Sequence, residues 1–275
     1  MNTLHLKKKL EEFLIEDIGT EDVTTNAIFS AHEKTKGQLI AKSTGSFSGG
    51  MVLKEGLALL DGSIEVQMYK QEGENMAPGE VIADIQGPTR AVLSGERVLL
   101  NMIQRMSGIT TMTKKAAHIL DDPSIAICDT RKTMPGLRMF DKYAVACGGG
   151  SNHRFGLYDA VMIKDNHIAA AGSITKAVEN VKHYAGHMIK IEVETTNAEE
   201  VKEAVAAKAD VIMFDNCTPD QIKEYVSLVP SFIQTEASGS ISLDNIADYR
   251  NCGVDYISLG CLTHSVTACD LSFLI

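Results

Sequence analysis

Between Asp129 and His167 the chain reads DTRKTMPGLRMFDKYAVACGGGSNHRFGLYDAVMIKDNH. Six cations, Arg131, Lys132, Arg138, Lys142, Arg154 and Lys164, stand against Asp129, Asp141, Asp159 and Asp165 in a protein whose formal net charge is −10. The placement matters more than the surplus. Arg131 and Lys132 directly follow one apolar burst, Lys164 ends the next, and His153 and Arg154 follow Gly148–Gly150. Guanidinium forks match carboxylates bidentately, and lysine adds a point charge. Several such groups at strand ends would form a carboxylate or phosphate trap. A single loop arginine is more often solvated or paired with a nearby aspartate. Recurrence at successive strand ends argues against that explanation here. The triple glycine has neither P-loop nor dinucleotide-fold spacing. It predicts a bend that brings His153 and Arg154 to a ligand, although a plain flexible loop has the same spacing.

Carboxylates occupy the neighbouring strand ends. In IEVE, Glu192 and Glu194 lie two apart and so point to the same side of a strand. Asp215 ends the next burst. Beside a phosphate site, such groups suit Mg²⁺, which takes one or two carboxylates plus substrate phosphates. The competing explanation is pairing with nearby lysines. The small-residue turns EASGS (236–240) and SLGCLTHS (258–265) each follow an apolar burst. Turns of this kind offer main-chain N–H groups to phosphate. Each is also compatible with an ordinary turn.

The elements that must position these groups fall into two rhythms. Leu4, Leu10, Phe13 and Leu14 predict a helix over residues 3–16. GQLIAKSTG, SIEVQMYK and VIADIQG predict short antiparallel strands, with a loop at Gln71–Gly79. A helical stretch runs from Ser94 to about Leu120. Beyond it, apolar bursts at 125–128, 160–163, 188–193, 211–214, 232–235 and 254–259 alternate with amphipathic segments, which predicts a parallel sheet. Polar or glycyl residues end nearly every burst: Asp129, Lys164, Glu194, Asp215, Glu236 and Gly260. Reactive groups spread over many strand ends favour a barrel over an open doubly wound sheet. With six strands, the barrel would be incomplete or of an unusual kind.

Composition narrows the class. Tryptophan is absent and aromatic residues make up 5%. With the acidic net charge, this argues against a nucleic-acid partner. No apolar run is long enough to span a bilayer, and the N-terminus lacks a signal-peptide core, so no membrane partner is expected. The six cysteines form no CxxC pair and are expected to be reduced, buried hydrophobes of a cytoplasmic protein.

The motifs DTRKTMPGLR, KYAVACGGGSNHRFGLYDAVMIKDNHI, IEVE, FDN and ISLGCLTHS together resemble quinolinate phosphoribosyltransferase, the carboxylating nicotinate-nucleotide pyrophosphorylase. EDIGTEDVTT and GERVLLNMIQRMSGIT extend the resemblance over nearly the whole chain. It implies an N-terminal α/β sandwich over 1–112, an incomplete parallel α/β barrel over 113–265, and a tail, 266–275, that packs on the sandwich. It implies a type II phosphoribosyltransferase of de novo NAD synthesis. Such an enzyme converts quinolinate and phosphoribosyl pyrophosphate, with Mg²⁺, to nicotinate mononucleotide, pyrophosphate and CO₂. It also implies a homodimer with shared active sites, and leaves assembly beyond the dimer open.

The family's quinolinate-binding arginines correspond to Arg131, Arg154 and Arg97, the last reaching across the dimer. Lys132, His153 and Lys164 correspond to its other basic site residues. Glu194 and Asp215 correspond to its ribose and Mg²⁺ carboxylates, and with Lys132 and Lys164 form the expected catalytic group. Ser238, Gly239, Gly260 and His264 fall on the 5′-phosphate loops. Ser240 departs from the family, which commonly has a second glycine there. A nicotinate-using or molybdenum-associated relative would share the fold. The number of arginines and the intact IKDNH stretch argue against them. A non-catalytic nucleotide-binding barrel would not need Glu194 and Asp215.

Overall fold

The computed structural model describes residues 1–275. The chain runs α1 (Thr3–Ile18), α2 (Val23–Ile28), β1 (Lys34–Ala41), β2 (Gly45–Ser46), α3 (Gly50–Leu60), β3 (Glu65–Met68), β4 (Asn75–Met76), β5 (Val81–Pro88) and α4 (Thr89–Leu120). There follow β6 (Ala126–Cys128), α5 (Arg138–Cys147), β7 (Val161–Ile163), α6 (Asp165–Ala171), α7 (Ile174–Tyr184), β8 (Ile191–Thr195), α8 (Ala198–Ala206), β9 (Val211–Asp215), α9 (Pro219–Val226), β10 (Gln234–Ser238), β11 (Tyr256–Ser258), α10 (Cys261–His264) and β12 (Leu271–Leu274). A 3₁₀ turn, Ile246–Tyr249, precedes β11.

Contacts divide the chain into two units. The first comprises Met1–Met112, Met139–Gly149 and Val266–Ile275; the second comprises Thr113–Arg138 and Gly150–Ser265. The segment 139–149, expected to lie within an unbroken 113–265 barrel, groups instead with the first unit. Its anchors explain why. Arg105 on α4 grips Asp141 with a fork of two 2.9 Å hydrogen bonds, and Thr110 Oγ1 donates to the Ala144 carbonyl at 2.8 Å.

In the first unit, β12, β1, β5 and β3 form one antiparallel sheet in that order, so the chain's last strand closes onto an early one. β1 alternates buried and exposed residues along its length, the pattern of a sheet with one wet face. The Asn2 side chain caps α1 by accepting from His5 N. The helix buries Leu6, Leu10 and Leu14 at a spacing of four. Leu4, expected on that stripe, is 82% exposed.

In the second unit all six strands are parallel, in the order β6-β11-β10-β9-β8-β7. The final strand, β11, pairs with the first, β6, as barrel closure requires. The gap lies between β6 and β7, where a single bridge from Cys128 to Ser151 substitutes for a strand. β8 and β9 are buried along most of their length, which is why they read as apolar bursts. Side-chain caps at Asn197 and Thr218 start α8 and α9 directly after their βα loops, and Ser173 caps α7 after α6. Each loop is therefore short and defined at both ends. β10 begins two residues later than its apolar burst, so Glu236 lies within the strand rather than after it.

Gly108 on α4 tests the packing of the C-terminal segment. A methyl group there would lie against the main-chain carbonyl of Thr267, which cannot rotate away. On an exposed helix face, Gly→Ala stabilises by about 1 kcal/mol. For Gly108→Ala the opposite sign is expected, a loss of about 1–3 kcal/mol, read as a lower denaturant midpoint.

Candidate functional site

The C-terminal ends of the parallel strands enclose a cavity of about 610 Å³. Its walls carry Arg131, Lys132, His153, Arg154, Lys164, Glu194, Asp215, Ser238 and Gly239 among the expected site residues. Thr130, Met162, Met213, Asn216, Ser240 and Ser258 complete the lining. The volume suits small-molecule ligands.

Arg131 and Arg154 sit near each other on this wall. Burial lowers the Arg154 pKa, and the neighbouring Arg131 charge lowers it further, while Glu192 opposes both. Arg154 Nη1 donates to the Ala160 carbonyl at 2.8 Å, which fixes the fork. The buried Nε groups of both arginines have no hydrogen-bond partner in the protein. A buried N–H without an acceptor costs about 1–3 kcal/mol. Two neighbouring guanidinium charges on one cavity wall favour an anionic ligand.

Two of the six cations in the 129–167 segment are not at the cavity. Arg138 spends its guanidinium on Thr133 Oγ1 and the Phe155 carbonyl, tying the loops together. Lys142 is fully buried and belongs to the first unit. Lys164 Nζ sits 3.1 and 3.2 Å from the two oxygens of Glu194. The competing explanation for Glu194, pairing with a lysine, thus describes its geometry while it faces the cavity. Asp215 lies on the adjacent strand and accepts from Asn216 Nδ2 at 2.7 Å through Oδ2.

The small-residue turns behave differently from each other. Gly239 and Ser240 line the cavity, and their main-chain N–H groups donate to no other protein atom. Gly260 and His264 lie outside the lining. Gly260 is packed against the Lys132 stem and the His264 ring, and His264 Nδ1 is 2.7 Å from Ser265 Oγ. Arg97 lies on α4 in the first unit and is exposed, and it is not among the residues that line the cavity.

Two buried glutamates lie behind His153: Glu192, considered above beside Glu194 for Mg²⁺, and Glu236, noted only as the end of an apolar burst. His153 Nε2 is 3.0 Å from Glu192 Oε2 and 3.8 Å from Glu236 Oε1. His153 Nδ1 accepts the Arg154 main-chain N–H at 2.8 Å. Nδ1 is therefore the acceptor and Nε2 carries the proton toward Glu192. With both nitrogens engaged, the ring anchors the backbone that carries Arg154. Burial, then the Glu192 carboxylate, push the Glu236 pKa up to about 7. The three ligand atoms lie within 4.8 Å of one another. An imidazole in a buried site is a poor donor for Mg²⁺, which prefers oxygen and retains waters. A proton held on Glu236 accounts better for the cluster. The signal for them was available: Glu192 shares the inward side of β8 with Glu194, and Glu236 sits two residues before Ser238 on β10.

Comparison with known proteins agrees with this geometry. Residues 22–107 match the model for the N-terminal domain of quinolinate phosphoribosyl transferase, and residues 109–274 match that for its C-terminal domain. The chain belongs to the quinolinate phosphoribosyl transferase family. It is 55% identical over 272 residues to a probable nicotinate-nucleotide pyrophosphorylase [carboxylating] of Bacillus subtilis, covering 99% of this chain and 94% of that protein. A chloroplastic nicotinate-nucleotide pyrophosphorylase [carboxylating] of Arabidopsis thaliana is 39% identical, covering 98% and 82%. The crystal structure of NadC from Streptococcus pyogenes superposes with a TM-score of 0.96 at 40% identity, covering 99% and 96%. The mixed α/β fold, with its antiparallel sheet and six-stranded parallel sheet, is thus that of the quinolinate phosphoribosyl transferases.

The raised Glu236 pKa has a thermodynamic consequence. Between its unfolded value near 4.5 and its folded value of about 7, the native protein holds a proton that the unfolded chain has lost. Stability from this site is therefore full below the lower value and is lost as pH rises through the upper one. Glu236→Gln keeps the neutral shape and removes that dependence. Relative to the parent, the variant is expected to gain thermal stability from pH 5 to pH 8; parallel melting curves across that range would refute the assignment.

Proposed function

We propose that this chain is a decarboxylating quinolinate phosphoribosyltransferase. The reaction joins quinolinate to the ribose of phosphoribosyl pyrophosphate, and yields nicotinate mononucleotide, pyrophosphate and CO₂. The observation that carries the reading is the Arg131–Arg154 pair, two neighbouring guanidiniums on the wall of a strand-end cavity. Quinolinate carries two adjacent carboxylates, the charge pattern that relieves this repulsion. The relatives' names give the same reaction.

The chemistry follows from the arrangement. The pyridine nitrogen displaces pyrophosphate at the anomeric carbon, so the C–N bond forms as the C–O bond breaks through an oxocarbenium-like state. Asp215, at the end of β9 on the cavity lining, would supply negative charge to the developing positive charge. Loss of the 2-carboxylate as CO₂ leaves its electron pair on the carbon beside the quaternised nitrogen, where a proton is then taken up. His153 holds Arg154 in position and relays no proton in this scheme. Lys132 and Lys164 supply charge for the phosphates and carboxylates.

Mg²⁺ belongs to the proposal. Asp215 Oδ1 is not used by Asn216, and Glu194 is its neighbour on the adjacent strand, an all-oxygen set of the kind Mg²⁺ takes together with substrate phosphates. To join it, Glu194 would exchange its Lys164 contact. The ion would neutralise the departing pyrophosphate. A homodimer completed by Arg97 is proposed on the family resemblance and on the exposure of that side chain. A cytoplasmic location is supported by six free cysteines.

With Mg²⁺ and phosphoribosyl pyrophosphate, the purified protein is expected to form nicotinate mononucleotide and CO₂ from quinolinate. Absence of product, or product from nicotinate alone, would overturn the reading. Arg131→Ala and Arg154→Ala should each lower kcat/KM for quinolinate by about two orders of magnitude. For the dimer, mixing inactive Arg97→Ala and Lys164→Ala subunits should restore part of the activity. Heterodimers that stay inactive would rule out the shared site.

A further inference from the structure

Asn216 and Ser240 both hold left-handed backbone, with φ of +53° and +56°, on two adjacent loops that line the cavity. A non-glycine residue in that region typically costs about 1–3 kcal/mol, so the surrounding bonds must hold it there. They do so through one carboxamide. Asn216 Nδ2 donates to Asp215 Oδ2 at 2.7 Å, and Asn216 Oδ1 accepts from Ser240 Oγ at 3.0 Å. The carboxylate can only accept, which fixes the orientation of the amide. The Asn216 main-chain N–H donates to the Ser238 carbonyl at 2.8 Å. On the far side, Asn245 Nδ2 donates to the Ser240 carbonyl at 3.0 Å. The loops approach so closely that a methyl group at Gly239 would lie 2.5 Å from Asn216 Oδ1 and 2.8 Å from Asn216 N.

We propose that Asn216 is a positioning residue that couples the Asp215 carboxylate to the Ser238–Ser240 turn, so that the ribose hydroxyls and the 5-phosphate of a phosphoribosyl substrate meet one rigid receptor. This deepens the phosphoribosyltransferase reading and rests on it for the identity of the ligand. The amide leaves Asp215 Oδ1 for the ribose side. It also holds Gly239 and Ser240 in the conformation that keeps their N–H groups unpaired within the protein. The Ser240 hydroxyl bond to Asn216 offsets a backbone cost that a glycine at this position would not incur.

The coupling is tested by calorimetric titration with phosphoribosyl pyrophosphate and Mg²⁺ in the absence of quinolinate, so the outcome does not depend on turnover. Asn216→Gly keeps the left-handed backbone and deletes the amide. Its affinity for phosphoribosyl pyrophosphate is expected to fall about tenfold, the loss typical of one hydrogen bond to a charged group. Quinolinate affinity should change by less than about twofold. Ser240→Ala retains the strained backbone without its clasp, and Ser240→Gly removes both. Phosphoribosyl pyrophosphate should therefore bind Ser240→Gly more tightly than Ser240→Ala, although glycine is the larger truncation. Parent-like binding by Asn216→Gly, equal losses for both substrates, or the reverse order at position 240 would each overturn the proposal. If the parent binds phosphoribosyl pyrophosphate but makes no nicotinate mononucleotide, the quinolinate reading fails and this one stands. If the parent does not bind it, both fail.

Discussion

Two guanidinium groups held near each other repel, and the second unit is organised around the Arg131–Arg154 pair. The repulsion is contained from behind. Asp129, Glu192 and Glu236 are all buried on the inner side of the strand ends. Asp129 accepts the His153 main-chain N–H at 3.0 Å, and His153 in turn contacts both glutamates and the Arg154 backbone. Behind Arg154, the Glu192 carboxylate opposes the effect of burial and of the Arg131 charge on its guanidinium, and the open side of the pair is the cavity.

These carboxyls carry their own cost, because burial penalises the charged form and a neighbouring carboxylate adds to the penalty. The raised pKa of Glu236 is the structure's answer: one carboxyl keeps a proton instead of adding another charge. The His153 ring is tied into the same layer, with its Nδ1 accepting the Arg154 amide. A site for dianionic ligands is therefore built with cations only on the surface that meets the ligand, while net charge in the layer below is kept low.

Much of this was legible in the sequence because parallel strands are short and buried on both faces. Their ends are the only places where polar residues interrupt apolar bursts, and Arg131, Lys164, Glu194 and Asp215 all stand at such interruptions. Residues whose role depends on what lies across the barrel were not legible. Glu236 ends an apolar burst like the others, yet β10 is shifted so that it turns inward toward His153. Arg138 and Lys142 carry the same charge as Arg131 but were separated from the cavity by tertiary contacts that spacing does not encode. The segment 139–149 lies between barrel strands in sequence and groups with the first unit because Asp141 and Ala144 meet α4 there.

The turn after β10 shows how one sequence departure can be absorbed. A glycine at position 240 would adopt φ +56° freely, and a serine would not. The cost is acceptable only if the hydroxyl gains a partner that exists in the folded state alone. Asn216 supplies it, and Asn216 is itself left-handed, a conformation asparagine tolerates better than most residues. The two strained positions therefore support each other through a single hydrogen bond. The close approach they impose leaves no room for a side chain at Gly239. Glycine at 239 is demanded by contact as well as by its φ of +87°, whereas the residue at 240 is free to vary so long as it can bond to Asn216 or needs no such bond.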